Sequence, residues 1–245
     1  MTDLVGREFS FDVESDLELV WAALTTPDGL ATWYVDGAEV DATPGGELKV
    51  DWGTGPHAMG TFEVVEPPHR LKLVYGGSET GAEEWLLSHE DGVTHVRLIH
   101  SLPVDDDTTW DEQYRDITRG WSLFHGTLAW VARTHGRLGR TAEVRIGELT
   151  TGAWKRVMSA AGLAATPAAG SAVTVPGIPE AEVLVSVDGY SLLLAIGRES
   201  TLLVDVEGDS LYTVSATYGE ASDAAAELRE AIVAVAERLC EAARG

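Results

Sequence analysis

The chain has a single cysteine in 245 residues, which excludes an internal disulfide and any cysteine-based metal cluster. That residue, Cys240, falls in a late helical pattern and reads as an inert small apolar side chain. Basic residues are also scarce: 17 Lys and Arg stand against 40 Asp and Glu, for a net charge of −23. A field of that sign repels phosphate backbones and anionic lipid heads, so neither nucleic acid nor a membrane surface is an expected partner. No apolar run approaches the length of a membrane span, and Met1 to Arg7 is polar and leads into a strand pattern, so the expectation is a soluble cytoplasmic protein. No glycine-rich phosphate loop follows a strand, and no serine sits in a nucleophile elbow. His57, His69, His89 and His95 fall in turns or on alternating polar positions, with no spacing that gathers them around a metal. Asp105-Asp106-Asp107, the densest acidic run, reads as a solvated loop before a helix. No cofactor and no metal is expected.

What the chain does have is apolar content, 44%, ample for a core, and a helical segment with bulky residues on one face. From Trp110 to His135, residues Tyr114, Ile117, Trp121, Phe124, Leu128 and Val131 recur at spacings of three and four, the period of one helical stripe. So aromatic a stripe needs a broad apolar partner. Strands supply it: Phe9, Phe11 and Val13 alternate with polar residues, and strand patterns recur at 38–42, 47–52, 60–66, 71–75, 84–89 and 94–102. Turn chemistry separates them, as in Pro44-Gly45-Gly46, Pro67-Pro68 and Asp91-Gly92. Between the first two strands, Ser15-Asp16-Leu17-Glu18 is a capping-box pattern opening a helix buried through Leu17, Val20, Trp21 and Leu24. Pro27 and Gly29 break that helix, and Leu30, Trp33 and Tyr34 mark one more short turn. Glu83-Glu84 is expected at a solvated hairpin shoulder.

One strand, two helices, six strands and a long helix is a restrictive order. With GTFEVVEPPHRLKLVY (Gly60 to Tyr75), THVRLIHSLP (Thr94 to Pro103), the Gly120-Trp121 pair and LVWAALTTPDGLATWY (Leu19 to Tyr34), the chain resembles the START-like, helix-grip (SRPBCC) superfamily over roughly residues 5 to 137. The branch it is most similar to is named after the activator of the heat-shock-protein-ninety ATPase. The resemblance implies an α+β fold, an antiparallel sheet wrapped around a long C-terminal helix, with an apolar cavity between them in many members. It implies no single function, since the superfamily includes lipid carriers, receptors and aromatase/cyclases.

The second half reads as a shorter version of the same order. A strand at 142–146 precedes a helix capped by Thr150 or Thr151, carrying Trp154, Val157, Met158 and Ala161 and stopping at Gly162. Strands near 172–175, 182–187, 191–197, 201–207 and 211–217 lead to a last helix from about Ser222 with Leu228, Ile232, Val235 and Leu239 on one face. Two domains are therefore expected, 1–137 and 138–245, the second an abbreviated, degenerate repeat or else an unrelated α+β domain. Only Trp154 of the eight tryptophans lies in it, so the first domain is the better ligand site and the second could cover it or form a dimer interface.

Trp33, Tyr34, Trp52, Tyr75, Trp85, Tyr114, Trp121 and Phe124 are the candidate lining of one enclosure, because flat rings with a few hydroxyl and indole donors suit a planar or lipid-like molecule. His100, on the strand face of Val96 and Leu98, and His125, one turn after Trp121, are added as groups able to orient a ligand or move a proton. Each ring could equally be core, and each histidine a hydrogen-bonded rim residue. The preferred reading is a non-catalytic binder of a small apolar or aromatic molecule. The alternatives are a cofactor-free cyclase or hydrolase using His100 or His125 with Tyr114, and a protein-interaction module such as a chaperone regulator. The space between sheet and long helix discriminates among them.

Overall fold

Alternation in the first segment produces β1 (Leu4–Val13), whose Phe9, Phe11 and Val13 turn inward. The computed structural model describes residues 4–52, 55–76, 81–103, 110–134, 139–219 and 222–245. Asp105 to Asp107 lie outside them. The chain divides into two compact units, Met1–Arg137 and Leu138–Gly245, each with its own antiparallel sheet.

In the first unit, α1 (Leu17–Thr25) starts one residue later than the capping-box pattern implies. Asp16 is the N-cap and makes no side-chain cap bond, while the Ser15 carbonyl accepts from Thr94 Oγ1 at 2.8 Å. Thr26 then does cap α2 (Pro27–Trp33), accepting from the Gly29 amide at 3.0 Å, with Pro27 at the first helical position where its missing N–H costs nothing. Gly29 is required by close approach: a Cβ there would lie 2.1 Å from the Ala22 carbonyl oxygen. The fold-back it permits brings Trp33 into the core and leaves Tyr34 at its edge.

Six strands follow: β2 (Gly37–Val40), β3 (Glu47–Asp51), β4 (His57–Glu66), β5 (Arg70–Val74), β6 (Ala82–Glu90) and β7 (Val93–Pro103). They join β1 in a seven-stranded sheet of order β1-β7-β6-β5-β4-β3-β2, with Phe9 opposite Leu98 where first and last strands meet. α3 (Trp110–Thr134) closes the unit: Trp121 and Leu128 are buried, and Ile117 and Phe124 pack against the same core. Phe62, Leu98 and Leu128 are at most 1% exposed, each contributing about 1.5–3 kcal/mol of apolar burial. The expected α+β helix-grip arrangement is what the unit adopts.

The second unit runs β8 (Arg140–Glu148), α4 (Ala153–Ala160), β9 (Ala172–Val173), β10 (Ala181–Val187), β11 (Ser191–Ile196), β12 (Ser200–Glu207), β13 (Ser210–Tyr218) and α5 (Asp223–Arg244). Its sheet order is β8-β13-β12-β11-β10-β9. The threonine cap expected for α4 is absent: the N-cap is Gly152 in the left-handed region, while Thr150 Oγ1 donates to the Ala243 carbonyl at 3.1 Å and so ties this turn to the end of α5. Gly162 ends α4 with φ +75°, the amides of Gly162 and Leu163 satisfying the Ser159 and Met158 carbonyls in a Schellman closure. Ser222 caps α5 by accepting from the Ala225 amide. The core is aliphatic, with Val157, Leu194, Leu211, Ile232 and Leu239 all at most 2% exposed.

Candidate functional site

Strand register assembles a polar row inside an otherwise apolar unit. Leu73 on β5 faces Glu83 on β6, Glu83 faces His100 on β7, and His100 faces Arg7 on β1. Glu83 is 6% exposed, so the expectation of a solvated shoulder at Glu83-Glu84 is corrected. Only Glu84 points outward, where it accepts from Arg70 Nε at 2.7 Å. The reason is the period of two: Glu83 shares its strand face with Trp85 and Leu87, both buried.

Three donors organise this row. Tyr75, just beyond β5, donates its hydroxyl to Glu83 Oε1, and the Trp85 indole N–H donates to Oε2 at 3.3 Å. Tyr75 is held by its amide on the Gly81 carbonyl; Gly81 has φ +123° and comes so near β7 that a Cβ would lie 2.7 Å from the Ser101 oxygen. From α3, the Trp121 indole N–H donates to His100 Nδ1 at 2.8 Å. An acceptor Nδ1 fixes the neutral imidazole as the tautomer protonated on Nε2.

Between this row, the end of α2 and the face of α3 lies a cavity of about 400 Å³, lined by Tyr34, Met59, Tyr75, Glu83, His100, Ile117, Gly120, Trp121 and Phe124. Tyr34 meets Phe124 edge to face with centroids 4.7 Å apart, and lies nearly parallel to Trp121 at 6.4 Å. Burial raises the Glu83 carboxyl to about 7 against the opposing pull of its two hydrogen bonds from Tyr75 and Trp85. Burial, then the Glu83 charge, pushes both the Tyr34 and Tyr75 hydroxyls far up. Desolvation lowers His100 to about 4, so it is neutral at pH 7. Glu83 is therefore the lining group that changes charge near neutrality, which suits either an ion partner or proton transfer.

The ten expected site residues do not share one enclosure. Tyr34, Tyr75, His100, Trp121 and Phe124 line the cavity. Trp85 lies behind Glu83, and Trp33 lies deeper, its indole N–H satisfied by the Ala23 carbonyl at 3.0 Å. Trp52 is 44% exposed and meets Tyr34 edge to face with ring centroids 5.9 Å apart. His125 stacks on Phe11 with centroids 4.0 Å apart and borders a second hollow, about 330 Å³, between β1 and α3. The Tyr114 side chain lies outside the described residues. Glu83, Met59, Ile117 and Gly120 complete the lining; alternation with Trp85 and Leu87 was the signal for the first. Among the described residues no cluster of His, Cys, Asp or Glu could hold a metal ion, and no helix is long and apolar enough to cross a membrane.

An antiparallel sheet closed by its last helix, with an aromatic cavity between the two, is a helix-grip arrangement. Residues 14–132, within the first unit, match the family described as "Activator of Hsp90 ATPase homolog 1-like protein". No curated protein matches the chain. Among solved structures it is similar to the Aha1 dimer from Colwellia psychrerythraea, at 19% identity and TM-score 0.45, over 52% of this chain and 96% of that one. It is similar to DynU16, encoded in the dynemicin biosynthetic locus, at 20% identity and TM-score 0.46, over 98% and 99% of the two chains. CalU16 from Micromonospora echinospora is similar at 23% identity and TM-score 0.41, over 52% and 65%.

Proposed function

We propose that the first unit binds a small apolar or aromatic molecule in the cavity between its sheet and α3. The observation that carries this reading is the cavity itself: about 400 Å³, within the size range of small-molecule sites, lined by four aromatic rings and a few polar groups. Gly120 fits the same purpose. It sits in the middle of α3, where glycine weakens a helix, and a Cβ there would meet nothing within 4 Å. Native mass spectrometry of protein purified without detergent should show a bound small molecule, and stripped protein should bind 2-(1-naphthyl)ethanol. Gly120→Phe, which places a ring in the cavity, should abolish that binding while the protein stays folded. Absence of both an endogenous ligand and naphthyl binding would sink the proposal.

The second unit supports a companion proposal, that it is an abbreviated helix-grip domain. In both sheets the first strand pairs with the last, and the others follow in descending order, with one strand fewer in the second. The shared topology, with a helix after the first strand and a long helix at the end, is what a degenerate repeat would retain.

A further inference from the structure

We infer that the ligand of this cavity is an organic cation, an apolar or aromatic body carrying a protonated amine, with the Glu83 carboxylate as its counter-charge. The inference rests on the binding proposal above and adds the chemical class. Among the described residues Glu83 is the only lining acid or base that becomes charged just above neutral pH, since its carboxyl titrates at about 7, His100 is neutral there and no lysine or arginine lines the cavity. A carboxylate buried to 6% exposure among rings is costly without a partner of opposite sign. Its described donors are two, the Tyr75 hydroxyl and the Trp85 indole, whereas a carboxylate has about four lone-pair sites. Acceptor capacity therefore remains for a ligand N–H.

The walls suit the same ligand. Tyr34, Tyr75, Trp121 and Phe124 line the same cavity as the carboxylate, and aromatic ring faces attract ammonium groups. An anionic ligand would meet the opposite situation, with a carboxylate inside and a net charge of −23 outside. Among the described residues, the titratable and charged groups near Glu83 are Tyr34, Tyr75 and His100, with Arg7 two strands away in register with His100 and its guanidinium 5.8 Å from the Phe9 centroid. Tyr34 and Tyr75 stay protonated at neutral pH, so above pH 7 the field on a ligand beside Glu83 from the described lining groups is that of the carboxylate.

The test uses the full chain and three probes sharing one ring: 2-(1-naphthyl)ethylamine, 2-(1-naphthyl)ethanol and 1-naphthylacetate, titrated calorimetrically at pH 8. The amine should bind at least about tenfold more tightly than the alcohol, with the acetate weakest. Amine affinity should fall by about tenfold per pH unit below 7 as Glu83 is protonated, while alcohol affinity stays flat. Glu83→Gln should bring the amine down to the alcohol's level and leave the alcohol within about threefold of wild type; the pH comparison in wild type tests the same point if the variant does not fold. Equal affinity of amine and alcohol, or tighter binding of the acetate, overturns the cation assignment and leaves the binding proposal standing. Failure of all three probes to bind overturns the cation assignment, and if native mass spectrometry also shows no endogenous ligand it overturns the binding proposal too.

Discussion

Glu83 makes the stability of the first unit depend on pH with a predictable sign. Its carboxyl titrates at 4.5 in the unfolded chain and about 7 in the folded one. Between those values the folded state holds the extra proton, so unfolding releases it and stability falls as pH rises. The shift corresponds to about 3 kcal/mol over the whole window, of which about 2.5 kcal/mol lies between pH 5 and pH 8. His100 and His125, lowered by desolvation to about 4 and about 3, act in the opposite direction, since stability is lost as pH drops below 6.5 and they resist protonation. The wild-type curve alone therefore does not isolate Glu83, but the difference between wild type and Glu83→Gln does. The substituted amide still accepts from Tyr75 but offers only one acceptor oxygen, so it forfeits the Trp85 bond, a constant cost of about 1 kcal/mol. Urea unfolding followed by tryptophan fluorescence reports mainly on this unit, which holds seven of the eight tryptophans. Relative to wild type, the variant should gain about 2.5 kcal/mol from pH 5 to pH 8, becoming the more stable protein at the alkaline end. A difference curve that is flat, or that slopes the other way, would refute the buried, proton-holding carboxyl.

Further outcomes follow from particular contacts. Gly29→Ala should destabilise the first unit by at least about 2 kcal/mol, because its Cβ would collide with the Ala22 carbonyl; thermal unfolding measures it. Gly120→Ala should raise stability by about 0.5–1 kcal/mol in the same assay, since the helix gains propensity and the methyl meets open space. His125→Phe should flatten the loss of stability on acidification between pH 6.5 and pH 4, because the buried imidazole, whose Nε2 has no hydrogen-bond partner, no longer resists protonation. Nitrogen-15 NMR should find His100 in the Nε2-protonated tautomer at pH 7, and Trp121→Phe should remove that preference.

By itself, the sequence determined the order of elements and most of their limits. Alternation in Phe9, Phe11 and Val13, the turn residues between strands and the three-and-four spacing of Ile117, Trp121, Phe124 and Leu128 are local signals of backbone geometry, and all reappear in the structure. Five of the expected lining residues were legible because bulky aromatics on an inward face have few places to go. A local signal gave way where a distant group competed: Thr150, expected to cap α4, instead donates to the Ala243 carbonyl at the end of α5. Which rings border open volume and which fill the core was decided only by tertiary structure, since it depends on strand register and on the fold-back at Gly29, relations between residues far apart in the chain. The same holds for Glu83. Alternation places it on the inner face, but only the packing of β5, β6, β7 and α3 removes water from it, and that desolvation raises its carboxyl to about 7, making an ordinary acidic residue one that changes charge near neutrality beside an aromatic cavity.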